Sequence, residues 1–138
     1  MRKLAALLIA AALLAGCGTS EGSDSSQVEG TVLGYLTDLA EGDGQGACDR
    51  LSGEEARRLL DEVLRKIPEL RATSCVDAID KLSDSLGGEE RKILEEARID
   101  RVEVDGGSAT ATIVGGTNTA RLRKVDGVWV ISGGIRLG

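Results

Sequence analysis

Few residues in this chain can do acid–base or nucleophilic chemistry, and they do not fall into a catalytic spacing. The 138 residues include no histidine, which removes the commonest general base, proton shuttle and metal ligand together. There remain 23 carboxylates, three cysteines, one tyrosine and one tryptophan. General acid–base work would require a carboxylate whose burial raises its pKa. Three residues are candidates for lining a pocket. Tyr35 lies on an apolar helix face, where it serves as core with its hydroxyl near a rim. Asp38, three residues on, either faces a cavity mouth or is a solvated carboxylate beside Leu39. Trp129 is a core anchor or the plug of a cavity. Asp100 and Glu103 fall on opposite strand faces and do not form a pair.

Other patterns have structural explanations. Gly42-Asp43-Gly44-Gln45-Gly46 has the look of a phosphate loop, but it follows a helix rather than a strand and lacks the closing Lys-Ser/Thr; it reads as a helix-to-helix loop. Glu54-Glu55, Glu89-Glu90 and Glu95-Glu96 read as solvated helix faces with i,i+4 basic partners, without the spacing of a calcium loop. Arg121 and Arg123, with Lys124 beside them, make one strand face basic. Such a face is suited to an acidic partner or, more simply, to an exposed sheet face protected by charge.

These residues must be held by the elements that hydrophobic periodicity predicts. Ser26 and Glu29 have capping-box form, and Val28, Val32, Tyr35, Leu36 and Leu39 then trace one helix face ending at Gly42. A short helical turn over 43–51 holds Cys48. Ser52 and Glu55 repeat the capping pattern ahead of Ala56, Leu59, Leu60, Val63, Leu64 and Ile67, with Pro68 as the stop. A third helix runs from about Ser74 to Gly87, and a short charged one covers 89–97. At Ile99 the period changes from 3.6 to 2, and strands are expected over 99–104, 108–114, 119–125 and 128–132. Asp126-Gly127 between alternating runs is a strong hairpin signal. The expected fold class is α+β, with N-terminal helices packed on a curved four-stranded antiparallel sheet.

This order resembles the NTF2-like (SnoaL-like) superfamily, a cone formed by helices and a curved sheet. The resemblance covers about Val28 to Ser132. It rests on a first helix of the Val-x-x-x-Val-x-x-Tyr-Leu-x-x-Leu type followed by Gly-Asp, and on the closing Lys124-Val125-Asp126-Gly127-Val128-Trp129-Val130-Ile131. It implies a cavity between helices and sheet. The superfamily is functionally diverse, so it implies no particular chemistry.

The N-terminus points to an address. Met1-Arg2-Lys3 is a positive start, and Leu4 to Ala15 is an unbroken apolar run of 12 residues, too short to span a bilayer comfortably and suited to a signal-peptide core. It ends in Leu14-Ala15-Gly16-Cys17, which resembles the bacterial lipobox. The resemblance implies cleavage between Gly16 and Cys17 and a diacylglyceryl group on Cys17, whose two chains make a stable membrane anchor. The expected organisation is a signal peptide over 1–16, the lipidated cysteine and a flexible polar tether over 17–27, and one domain over 28–138. With Cys17 assigned to lipid, Cys48 and Cys75 form an even pair in an exported domain, most simply a disulfide. Redox chemistry would prefer Cys-x-x-Cys, and a metal site would need further ligands.

Composition narrows the partners. Loss of Arg2 and Lys3 with the signal peptide leaves 15 basic against 23 acidic residues, a net charge of −8. That acidity argues against nucleic acid or anionic headgroups as partners. The chain is therefore expected to be a lipid-anchored protein on the extracytoplasmic side of a bacterial membrane, non-catalytic and without cofactor or metal. Its domain would bind a small apolar ligand or an envelope protein. The alternative is a carboxylate-dependent enzyme of the isomerase or dehydratase type. An acid at the cavity floor would favour the enzyme, an all-apolar pocket a ligand, and a filled interior a protein partner.

Overall fold

Five helices precede four strands in the computed structural model, which describes residues 23–115 and 118–136. The helices are α1 (Asp24–Glu41), α2 (Gly44–Asp49), α3 (Gly53–Lys66), α4 (Cys75–Ser85) and α5 (Gly88–Glu95). The strands are β1 (Ile99–Asp105), β2 (Ser108–Ile113), β3 (Thr119–Val125) and β4 (Val128–Gly133), paired in chain order as an antiparallel meander. The expected signal peptide, the Gly16–Cys17 cleavage site and the start of the tether lie outside the described residues.

Helices α1 to α4 each begin where a side chain satisfies a free first-turn N–H group. Ser52 and Ser74 cap α3 and α4, as the serine positions suggest, and Asp43 caps α2. At α1 the expectation is corrected. Ser23 rather than Ser26 accepts the first-turn N–H, so the helix starts at Asp24, inside the stretch assigned to the tether. The short polar run there has no apolar residue to signal a helix, but its first residue is held from across the domain, as described below. Gly42, at φ 76°, supplies the left-handed cap that ends α1.

The core lies between one sheet face and the helices. Val28, Val32, Tyr35 and Leu36 of α1 pack with Ile79 and Leu82 of α4 and with Ala111, Leu122, Trp129 and Ile131 of the sheet. Alanines at 109, 111 and 120 keep the inward face of the central strands low, which lets the helices approach closely. The Cys48–Cys75 disulfide joins α2 to the first residue of α4. The edge of β4 is partly covered, since Ser52 N–H donates to Ile131 C=O and Ile131 N–H to Arg50 C=O, each over 2.8 Å. Among the described residues no helix is long and apolar enough to cross a membrane.

The expected face of α3 also needs correction. Leu64 is 41% exposed, whereas Glu55 and Glu62 are each only 5% exposed. Glu54 is solvated as expected and Glu55 is not. The helix turns a carboxylate-bearing stripe inward because Arg58 meets both acids there.

Candidate ligand-binding groove

The helices and the sheet do not close fully at one end. An apolar groove of about 420 Å³ opens between the C-terminal half of α1, helix α5 and the end of the sheet where β2 finishes. Tyr35, Leu36 and Leu39 of α1 form one wall, and Ile93 and Leu94 of α5 the other. Ile113 and Val114 close the sheet side, with Ile135 beyond. Polar groups occur as Glu90, Asn118 and Arg136; Glu90 and Arg136 are exposed. The volume falls within the range of small-molecule sites, roughly 300–1,000 Å³.

Helix α5 is a thinly buried wall, held to α4 by Arg91 Nη2, which donates to the Ser83 carbonyl over 2.9 Å. It buries no residue fully, and Ile93 is 67% exposed. Leu94 alone among its apolar side chains packs against the core. Its N-cap, Gly87, offers no side-chain acceptor.

Tyr35 is the one proposed pocket residue that reaches this groove. It is 3% exposed. Burial raises its phenol above the usual pKa, and the negative charges of Glu55 and Glu62 add to that while Arg58 opposes it. The side chain is therefore a neutral phenol at physiological pH.

Behind the groove, α3 carries a charge cluster that sequence reasoning missed. Arg58 Nη1 donates to Glu62 Oε2 over 3.0 Å and Arg58 Nε to Glu55 Oε2 over 2.9 Å. Its Nη2 bonds Glu55 Oε1 and donates to the Ile135 carbonyl over 2.9 Å. Lys66 Nζ lies 3.0 Å from Glu62 Oε1. The bond to Glu55 holds the Arg58 guanidinium firmly protonated. Burial opposes ionisation of Glu62, but Lys66 and Arg58 outweigh it and its pKa lies below the ordinary value. Neither carboxylate lines the groove. The spacing at 55, 58, 62 and 66 was visible as i,i+3 and i,i+4 pairs, but no sequence signal placed them in the interior.

Asp38 and Trp129 lie elsewhere. Asp38 Oδ2 accepts from Arg50 Nε over 2.8 Å, tying α1 to the segment after α2. Gly34 makes room for that guanidinium, because a Cβ there would fall 2.4 Å from Arg50 Cζ. Trp129 is 3% exposed and packs in the core, and its Nε1 donates to Asp24 Oδ1 over 3.0 Å. Lys124 Nζ meets the same oxygen over 2.9 Å. The bonds from Lys124 and Trp129 hold the Asp24 carboxyl below its usual pKa. Thus the three candidate pocket residues sit in three separate places.

The glycine-rich segment after α1 is used for packing. Gly44 N–H donates to Asp80 Oδ1 over 2.9 Å, and a Cβ on Gly44 would lie 2.5 Å from the Val76 carbonyl. Arg121 and Arg123 are exposed on the sheet face away from the helices, where Arg121 pairs across to Thr110. Among the described residues no group of three or more His, Cys, Asp or Glu is placed to hold a metal ion, and no buried side-chain nitrogen or oxygen lacks a hydrogen-bond partner.

Comparison of the chain with protein-family models, with curated proteins and with solved structures gives no match.

Proposed function

We propose that the protein is a lipid-anchored extracytoplasmic binding protein whose domain holds a small apolar ligand in the groove between α1, α5 and the sheet. The observation that carries this reading is the groove itself: it is walled by Leu, Ile and Val side chains, and its polar groups include the exposed Glu90 and Arg136. An apolar pocket with a few polar groups favours a ligand that is mostly hydrocarbon. The lipobox-like Leu14-Ala15-Gly16-Cys17 supports the anchor at Cys17 and export across a membrane. The order of helices and meander supports an NTF2-like cone, in which such a groove is the open end.

An enzyme of the isomerase or dehydratase type has less support. The buried carboxylates Glu55 and Glu62 are consumed by Arg58 and Lys66 and do not reach the groove. Among the described residues the one carboxylate lining the groove with Tyr35 is Glu90, which is exposed.

Native mass spectrometry of the protein purified from its host's membranes tests the reading. The expected result is an additional mass of a few hundred daltons beyond the N-terminal lipid. It should be absent from Ala97→Trp, which places an indole at a half-buried position in the groove lining. Apo masses for both proteins, with no apolar probe such as N-phenyl-1-naphthylamine displaced by that substitution, would overturn it.

A further inference from the structure

The two edges of the sheet end differently. Beyond β4 the backbone of Arg50 and Ser52 bonds that of Ile131, so that edge is occupied. Beyond β1 no described strand pairs, and the backbone groups left over there can be identified. Lys124 N–H donates to the Gly107 carbonyl over 2.8 Å, so Ala109 and Ala111, two and four residues on, turn their backbone groups to β3. Ser108, Thr110 and Thr112 then bond their β1 partners Asp105, Glu103 and Arg101. The N–H and C=O groups of Val102 and Val104, opposite Ala111 and Ala109, point out to the open edge. No described backbone group outside the sheet bonds them.

Charge on an edge commonly guards it against other strands, but the order of charges on β1 matches itself. Arg101 and Glu103 share the outer sheet face, 68% and 65% exposed. Two β1 strands set antiparallel about a two-fold axis at Val102 bring Arg101 of each copy opposite Glu103 of the other. In that register the outward groups of Val102 meet their counterparts as a hydrogen-bonded pair. The two Arg101–Glu103 pairs fall at the intervening positions, where opposed Cα atoms approach to about 4.5 Å and opposite charges attract. An axis at Val104 would instead set Glu103 against Asp105, like charge against like. An axis at Asp100 would run through the irregularity between Ile99 and Arg101. The occupied β4 edge restricts the match to β1 with β1, which closes as a pair and does not propagate into a filament.

We infer that the open edge of β1 takes a second copy of this chain, the two strands pairing antiparallel about Val102 with Arg101 of each copy against Glu103 of the other. Val102, half-buried in the single domain, then meets its counterpart on the side of the sheet that faces the helices. Two four-stranded sheets become one. A single strand pair buries less surface than a standard stable interface, so the association is weak and its occupancy depends on concentration.

Sedimentation velocity of the full chain in a neutral detergent, from the micromolar to the millimolar range, tests this. Wild type should pass from monomer to dimer, and the Val102 and Val104 amides should exchange more slowly as the dimer fills. R101E and E103R each make both cross-strand pairs like-charged and should weaken self-association by about tenfold or more. Mixing these two variants restores opposite charges at both pairs and should recover a dimer between them. Wild type that stays monomeric throughout overturns the inference. A dimer that neither single variant weakens assigns the contact to another surface and overturns it as well. Folded variants that fail to associate on mixing overturn the register. Independently of any variant, protection that rises with concentration elsewhere but not at Val102 and Val104 overturns the edge pairing.

Discussion

Trp129 Nε1 donates to Asp24 Oδ1 across 105 residues of chain, over 3.0 Å, so that the last strand fixes the first residue of the first helix. The same carboxylate oxygen accepts from Lys124 Nζ. One acceptor thus anchors an otherwise polar helix start, whose Ser23 cap alone would leave it free to fray.

Asp24→Ala should loosen the first turn of α1 without unfolding the domain. Amide exchange at Gln27 and Val28 should accelerate, and Trp129 emission should move to longer wavelength as its N–H partner is lost. Unchanged exchange in that turn would show that Ser23 capping suffices. Trp129→Ala removes the packed indole as well, and should cost about 3–5 kcal/mol in denaturant unfolding.

The disulfide should supply a large share of stability. Cys48 and Cys75 are 27 residues apart, and closing such a loop restrains the unfolded chain by about 3–4 kcal/mol. Reduction, or the Cys48→Ser/Cys75→Ser pair, should lower the unfolding free energy by that order. In a domain built without Phe, this is a sizeable fraction of the usual 5–15 kcal/mol. A midpoint insensitive to reductant would assign the stability to the helix–sheet core alone.

Gly44→Ala should destabilise by about 1–3 kcal/mol, because the added methyl meets the Val76 backbone carbonyl, which cannot swing aside. Gly34→Ala meets only the mobile end of Arg50 and should displace it from Asp38 at little cost. Equal thermal shifts for the two variants would contradict this ranking.

These glycines show where the sequence was legible and where it was not. The change of period at Ile99, the Asp126-Gly127 turn, Pro68 and the Ser52 and Ser74 caps are local signals, and the elements follow them within a residue or two. The disulfide followed from counting cysteines. Asp24, Arg58 and Gly44 owe their roles to partners distant in sequence, or to burial that periodicity does not report. Glu55 reads as half of a solvated acidic pair and Glu62 carries no signal of its own, since the cost of burying them is offset by Arg58 and Lys66 in a geometry that periodicity does not report. Of the pocket candidates, Tyr35 reached the groove because it belongs to the α1 apolar face. Asp38 is a candidate through its helical spacing from Tyr35 and Trp129 through its place on the last strand, and neither fixes which wall a side chain occupies.

The cluster on α3 gives the domain a pH dependence whose sign is fixed. Glu62 titrates below its ordinary value of 4.5 in the folded protein, so the unfolded chain binds its proton first as pH falls. The resulting stabilisation is fully present above about pH 4.5 and is lost as pH drops through the depressed folded value. Thermal melts from pH 7 to pH 3 should show this loss in wild type, and a shallower one in Glu62→Gln, which is already less stable at pH 7. Arg58→Ala leaves Glu55 without its guanidinium partner and Glu62 with Lys66 alone. Removing one partner of a fully buried pair costs roughly 3–5 kcal/mol. Arg58 is 38% exposed, so water screens part of this and about 2 kcal/mol is expected at pH 7. Because protonation of Glu62 removes the charge that Arg58 would have met, the deficit of Arg58→Ala should shrink as pH approaches 4. A deficit that stays constant over that range would mean that the arginine acts through packing and its bond to the Ile135 carbonyl rather than through charge.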